Sequence, residues 1–457
     1  MNRDKLREVL KVLTSAIIVL LLLSFIPSMD FRYKHFNMLS DVFQGDPGGE
    51  APEEPKEDPA TEEDMAALVA TNDSLQRLEK DTQMTNLDNE QSSGILDFSP
   101  DGNTLKALFR AMQNCRKENR TVRIGVLGDS FIEADIMTSK LRKLLQAEYG
   151  GMGVGFVPVA SPASQYRRTV QHTFTGWITH SMVYYKNADW KRFCLSGYYF
   201  IPSEGASFRL KPAQGETVTR ASFFFINQKR TRLEVSVNGD PAKTYDPPAC
   251  EDLQHLTFSD NGIRSLEVRL KNVEGFTAFG TYLDNPFGVY VDNYSVRGSS
   301  GSVLITMNEQ LTEQLKKQVS YDLLIVQYGL NVISNKSYAG YSKLMKSAVQ
   351  HLRECYPGVP VLLMSIGDKS TKGSGGVTTH PGVIPLIKAQ RQIAKETGIC
   401  FWNTYEAMGG SQSMVNFVNH KPPLAAKDYT HINLAGGDFI GERLFEALML
   451  EQKRLVP

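Results

Sequence analysis

The chain predicts an α/β fold: a parallel sheet with helices on both faces, interrupted by a β-rich insertion and preceded by a membrane segment. Three observations carry this. Strand-then-helix units occur in two separated stretches, near 121–148 and again over 308–450. Between about 170 and 292 lie short strands with turns and no convincing helix. At the N-terminus an uncharged run follows a cluster of basic residues. With 41% apolar and 22% charged residues over 457 positions, the bulk reads as globular protein. A formal charge of +0 excludes a strongly basic nucleic-acid binder. The five cysteines, Cys115, Cys194, Cys250, Cys355 and Cys400, form no C-x-x-C pair, which argues against a zinc module or redox dithiol.

Residues 1–11 form a basic head carrying Arg3, Lys5, Arg7 and Lys11, and residues 12–29 are 18 uncharged positions. As a helix this run is about 27 Å long, enough to cross a hydrocarbon core of about 30 Å. The basic flank stays cytoplasmic and the remainder is exported. No small-x-small cleavage site follows, so an uncleaved anchor is preferred to a signal peptide. Residues 30–91 are a tether and lead-in. Within them, positions 41–65 carry ten acidic residues and one lysine, with Pro52, Pro55 and Pro59 interleaved, a composition that repels itself and buries no core. Residues 66–457 hold 37 acids and 43 bases, a slight excess that suits an anionic envelope polymer.

The α/β part occupies 92–169 and 293–457. Residues 121–127 form a β-branched, apolar run suited to a buried parallel strand, followed by a helix over 135–148. Later units pair a helix over 308–318 with a strand over 323–328, a helix over 338–355 with 359–364, and a helix over 384–397 with 399–402; a helix over 433–450 closes the chain. Residues 170–292 read as an inserted β-sandwich with short strands at 207–210, 221–226, 233–237, 266–270 and 288–291, and a turn at Asn238-Gly239.

Three groups offer chemistry. Gly128-Asp129-Ser130 stands where the first strand gives way to a helix, the edge at which open α/β sheets bind ligands. The tripeptide also makes an ordinary helix cap. Asp428-Tyr429-Thr430-His431 precedes the last helix; an aspartate three residues before a histidine can bond Nδ1 and leave Nε2 to take a proton, although the same spacing fits a surface histidine behind a capping aspartate. Gly298, Gly301 and Asn331 lie after strands, where backbone and amide N–H groups could hold an oxyanion or merely shape turns. There is no G-x-S-x-G elbow, P-loop or H-E-x-x-H, and His172, His180, His255, His351, His380 and His420 lack partners at ligand spacing.

In order along the chain, Ser130 within Gly-Asp-Ser, Gly301, Asn331, and Asp428 with His431 in D-x-x-H resemble the four blocks of the SGNH hydrolases, also called the GDSL family. The resemblance implies a flavodoxin-like three-layer fold and esterase chemistry with neither metal nor organic cofactor. It makes Ser130 the nucleophile, His431 the general base and Asp428 its orienter. The oxyanion would be held by the Ser130 N–H, the Gly301 N–H and the Asn331 side chain, with Gly298 competing with Gly301. Asn331 is followed by Val332 where the family usually has aspartate. The run Gly128-Asp129-Ser130-Phe131-Ile132-Glu133-Ala134-Asp135 is similar to the first block of bacterial peptidoglycan O-acetylesterases, as is the stretch 153–158. That subgroup carries a carbohydrate-binding β-sandwich between the first two blocks, which fits the insertion here.

The resulting expectation is a membrane-anchored, extracytoplasmic, periplasmic or cell-surface serine esterase. It would remove O-acetyl groups from an envelope carbohydrate, peptidoglycan above all, and would engage no nucleic acid. The rivals are an O-acetyltransferase served by a membrane acyl donor protein, and a non-catalytic glycan-binding protein. An oxidising compartment would also permit a disulfide between Cys194 and Cys250.

Overall fold

The computed structural model describes residues 94–183, 188–213, 218–373 and 376–456; the basic head, the apolar run and the acidic tether lie outside the described residues. Among the described residues no helix is long and apolar enough to cross a membrane. The chain begins with β1 (Leu96–Asp97), α1 (Lys106–Asn114), β2 (Thr121–Gly128), α2 (Thr138–Tyr149) and β3 (Gly155–Pro158). It continues through β4 (Val170–Ser181), β5 (Tyr198–Pro212), β6 (Val218–Asn227), β7 (Arg232–Val237), β8 (Lys243–Tyr245), β9 (Cys250–Ile263), β10 (Leu266–Lys271) and β11 (Phe276–Asp284). The remainder is β12 (Gly288–Ser295), α3 (Glu309–Lys316), β13 (Leu323–Gln327), α4 (Ala339–Cys355), β14 (Val361–Met364), the hairpin β15 (Ser370–Gly373) and β16 (Gly376–Thr379), α5 (Val383–Thr397), β17 (Cys400–Trp402), α6 (Thr404–Met408), α7 (Ser413–Asn419) and α8 (Leu434–Leu455).

A six-stranded sheet runs β1-β17-β14-β13-β2-β12, parallel throughout except for β1. Its parallel members, numbered in chain order, stand 2-1-3-4-5, the flavodoxin-like arrangement. Every residue of β13 is buried, and so is β2 from its second residue onward. A strand covered on both faces needs a continuous apolar run, which is why these strands read clearly in the sequence. Helices α1 and α2 pack with α8 in one layer, and α3, α4 and α5 with one another in a second. Glycines bring α8 close to the segment that leads into α2: a Cβ on Gly437 would lie 2.1 Å from the Ile136 carbonyl oxygen, and one on Gly441 2.7 Å from that of Met137.

The segment from β3 to β11 forms one nine-stranded sheet, ordered β8-β7-β10-β5-β11-β6-β9, with β3 added to β11 and β4 to β5. The strands are linked into one hydrogen-bonded network through the 15-residue β5, which pairs with β11 at Phe200 and with β10 over 207–210. Phe208, Phe223, Phe225, Val268 and Phe276 share one apolar cluster.

Two boundaries also move. Residues 288–291, expected within the insertion, begin β12, which pairs in parallel with β2 along its whole length. Residues 155–158, expected to stay with the parallel sheet, form β3 and pair with β11. The helix expected from Asp135 starts at Thr138, because Ala134 and Asp135 adopt left-handed backbone conformations (φ 56° and 64°). Cys194 and Cys250 carry free thiols rather than a disulfide, and the Cys194 thiol is buried beside the Ser196 hydroxyl.

Candidate active site

The carboxyl ends of β2, β12 and β13 meet where the chain reverses its direction of travel across the sheet. Gly128 ends β2 so tightly against β13 that a Cβ there would lie 2.7 Å from the Gln327 carbonyl oxygen. Asp129 follows, fully buried, and its Oδ1 accepts from the Phe131 N–H at 2.9 Å. Burial pushes the Asp129 carboxyl up to about 7; the Phe131 N–H bond and the nearby His431 imidazole pull the other way without cancelling it.

Ser130 is the first residue past this turn with its hydroxyl toward the opening. Its Oγ lies 3.2 Å from His431 Nε2, and His431 Nδ1 lies 2.7 Å from Asp428 Oδ2. The sequence between them explains the second contact. Asp428 Oδ1 accepts from the Thr430 and His431 N–H groups at 2.9 and 3.0 Å, and Tyr429 takes a left-handed conformation (φ 56°), so the tetrapeptide closes on itself. Partial burial raises the Asp428 pKa, but the hydrogen bonds from the His431 ring and from the two N–H groups outweigh it and hold the carboxyl at about 2. Asp428 is thus a fixed anion that selects the tautomer with a proton on Nδ1 and leaves Nε2 as the acceptor facing Ser130. The side chains of His431 and Asp428 remain 40% and 48% exposed, so the relay opens to solvent.

On the donor side, the two candidate glycines differ in how their N–H groups are engaged. Gly301 is buried, and its N–H donates to Ser299 Oγ at 3.1 Å. Its αL backbone (φ 89°) presses against Tyr328 and Met345, where a Cβ would find atoms at 2.7 and 2.8 Å. That N–H is engaged within its own loop, as the Asn331 amide is. Gly298 lies three residues earlier in the same loop. It sits two residues past Val296, whose N–H donates to the Gly128 carbonyl at 2.8 Å, and is half-exposed with φ 80°. Among the described residues neither its N–H nor that of Ser130 has an acceptor. Asn331, just past β13, donates through Nδ2 to the Ser299 carbonyl at 2.8 Å and reaches Asp129 Oδ2 at 3.4 Å. The second bond is long, and that hydrogen is the one a stronger acceptor could recruit.

The structure thus brings Ser130, Asp428, His431 and Asn331 to one edge. Two supporting features were not legible in the sequence. Glu133 and Arg297 form an ion pair between the loop after Ser130 and the residue before Gly298, but charges so far apart in the chain carry no pattern. The segment after β14 also borders the site, for the same want of a signal. Outside the triad, Glu309, His351 and Glu354 of α3 and α4 approach one another, although His351 Nε2 is within bonding distance (2.9 Å) of the Met307 carbonyl.

No protein-family model matches the sequence, and no curated protein does. Among solved structures the chain is similar to a peptidoglycan O-acetylesterase, with 22% identity, a TM-score of 0.65, and coverage of 79% of this chain and 99% of that one. It bears looser likenesses to a salicylyl-acyltransferase of a tetracycline biosynthetic pathway (13% identity, 64% and 99% covered, TM-score 0.29) and to a family two carbohydrate esterase from Cellvibrio japonicus (10%, 66% and 98%, TM-score 0.27), which are too distant to argue from. The first likeness establishes a shared fold across nearly the whole of the compared chain.

Proposed function

We propose that this protein is an SGNH-type serine esterase, anchored in a membrane by residues 12–29, that removes O-acetyl groups from a cell-envelope glycan outside the cytoplasm, peptidoglycan being the preferred substrate. The observation that carries the reading is the Ser130, His431 and Asp428 chain of contacts at the switch point of a flavodoxin-like sheet. The fold shared with a peptidoglycan O-acetylesterase supports the choice of substrate, and the basic head followed by an apolar run supports the location.

In this reading His431 Nε2 takes the Ser130 proton as Oγ attacks the acetyl carbonyl. The imidazolium is stabilised by Asp428, and the tetrahedral oxyanion draws on the Ser130 and Gly298 N–H groups and on Asn331 Nδ2. The same imidazolium returns the proton to the departing sugar hydroxyl. Water then enters, His431 takes its proton as the oxygen attacks the acyl carbonyl, and the imidazolium returns that proton to Ser130 Oγ as acetate leaves. The open position of His431 and Asp428 favours water over a transferase's sugar acceptor at this step.

The test is acetate release from O-acetylated peptidoglycan by the wild type and by Ser130→Ala. The variant should lose roughly 10⁴-fold or more in kcat/KM, since nucleophile and base act as a unit. Near-normal turnover by the variant would overturn the mechanism. Acetylation of glycan from an added acyl donor, with no release of acetate, would move the assignment to a transferase. Glycan binding without either reaction would leave a binding protein.

A further inference from the structure

A cleft of about 450 Å³ opens in the nine-stranded sheet where β5 changes partners. β5 pairs with β11 at Phe200 and with β10 from Ser207, and between them residues 201–206 have no ladder partner on that side. The turn joining β10 to β11 stands at this gap, where the Asn272 N–H donates to the Glu204 carboxylate at 3.0 Å. The resulting volume is that of a small-molecule site. One wall of the cleft, built from residues 189–199, is tied to the parallel sheet. Gly197 lies so close to Val296 that a Cβ would stand 2.5 Å from the valine side chain, and the Val296 N–H donates to the carbonyl of Gly128, two residues before Ser130. The Phe193 carbonyl accepts from the Asn308 N–H at 2.8 Å, a second tie.

On that wall His180 lies flat against Tyr199, with ring centres 4.5 Å apart and planes inclined by 9°. Burial and the Arg192 guanidinium hold its imidazole below the usual histidine range, so this plate is uncharged at neutral pH. Arg192 Nε donates to Asp189 Oδ2 at 3.1 Å, and Asp189 Oδ1 accepts from the Lys191 N–H at 3.1 Å. The Tyr199 hydroxyl accepts from the Asp189 N–H at 2.7 Å, which leaves its own proton to donate. Among the described residues no acceptor meets that proton or the two terminal nitrogens of Arg192. The charges of the lining are already balanced, Arg192 by Asp189 and Glu274 by Lys229. Ile201, Pro202 and Val273 supply an apolar face. Unused donors beside an apolar face, in a cleft whose charges cancel, suit a neutral group with a carbonyl acceptor and a small apolar end. A carboxylate would bring an unbalanced charge toward Asp189.

We propose that this cleft is a binding site, separate from the relay, for a 2-acetamido sugar. The pyranose ring lies on His180, the acetamido carbonyl accepts from Arg192 and Tyr199, and the acetamido methyl meets the face of Ile201, Pro202 and Val273. A sugar with a hydroxyl in place of the acetamido group fills neither the acceptor position nor the apolar one. The proposal rests on the esterase reading for the role of the site, which is to hold one unit of the glycan while Ser130 acts on another; the binding itself needs no turnover.

The experiment titrates the full chain, in a detergent without sugar headgroups, with two neutral probes by calorimetry: the β-1,4 tetramer of N-acetylglucosamine, and cellotetraose, which carries hydroxyls where the first has acetamido groups. The wild type should bind the acetamido tetramer at least tenfold more tightly. Arg192→Met should weaken that tetramer roughly ten- to a hundredfold, the range of a hydrogen bond to a charged group, and abolish the preference over cellotetraose. Tyr199→Phe keeps the stacked ring and should cost about two- to tenfold, the range of a neutral hydrogen bond, so the result does not depend on one variant folding. Equal affinity for the two tetramers, no binding of either, or a preference that survives both substitutions would overturn the proposal and leave the esterase reading standing. A wild type that binds the acetamido tetramer as expected but releases acetate from neither O-acetylated peptidoglycan nor 4-nitrophenyl acetate would overturn the esterase reading and leave the sugar site.

Discussion

Asp129, Asp135 and Asp428 stand close in sequence to Ser130 or His431, and their surroundings push them apart. Asp428 is held as an anion by donated hydrogen bonds, Asp135 is held well below the ordinary range by two guanidinium groups despite complete burial, and Asp129 is raised to about 7 by burial that its partners do not offset. Asp129 therefore titrates in the folded protein near neutrality, whereas in the unfolded chain it ionises near 3.9. Between those values the unfolded state has released the proton and the folded state has kept it. The protein should thus lose stability as pH rises from about 4 to about 7, with a slope of at most about 1.4 kcal/mol per pH unit from this group. The unfolding free energy of Asp129→Asn relative to wild type isolates the effect: the difference should move in the variant's favour up to pH 7 and level off above it. A difference independent of pH would mean that Asp129 is ionised throughout. Asp428 and Asp135 act with the opposite sign, stabilising above about 4 and losing that contribution as the pH falls toward their own lower values.

The turn between Ser130 and α2 shows what the sequence reveals at the scale of an element and where it stops. Apolar runs announced β2, β13 and β14, because strands covered on both faces admit little else, and the 3.6-residue pattern announced α4, α5 and α8. The start of α2 was misplaced by three residues because Asp135, a plausible helix-start residue, is consumed elsewhere. Its carboxylate accepts from Thr138 Oγ1 and from Arg142 at 2.7 Å each, from Thr169 Oγ1 at 2.6 Å and from Arg167 Nε at 2.9 Å. Two of these partners, Arg167 and Thr169, come from 32 and 34 residues away, and no local pattern encodes them. The sequence likewise held no sign that the N–H of Gly301, the glycine it favoured over Gly298, bonds Ser299 Oγ. The left-handed conformations of Ala134 and Asp135 aim the chain from Ser130 into α2, and the lock on Asp135 holds them. Asp135→Ala should cost about 3–5 kcal/mol in urea unfolding, since it leaves two buried guanidinium groups facing each other without their anion. A loss under 1 kcal/mol would show that the lock is dispensable.

Across the whole described region, the parallel sheet and the nine-stranded sheet are joined by shared buried groups rather than by a linker. Arg123 of β2 pairs with Asp292 of β12 at 3.2 Å and with Asp284 of β11, and its guanidinium lies 4.9 and 5.0 Å from the ring centres of Tyr282 and Tyr290. Tyr321 donates to Asp292 at 2.9 Å and bonds Tyr294, which bonds Tyr282 at 2.8 Å. Around this network Phe156, Phe224, Phe279 and Tyr282 of the second sheet belong to the same apolar cluster as Ile124, Val291 and Leu323 of the first. An insertion that folded by itself would keep its apolar residues in its own core, yet this one divides them between its own cluster and the common one. Neither sheet can then open without exposing the other's buried charges. Residues 94–456 should unfold in calorimetry as one transition, with calorimetric and van't Hoff enthalpies equal. Arg123→Ala, which strands Asp284 and Asp292, should lower its midpoint without splitting it. Two resolved transitions in the wild type would mean that the nine-stranded sheet is an independent module, and any glycan it met would then have to be handed across a flexible joint instead of being held in fixed register with Ser130.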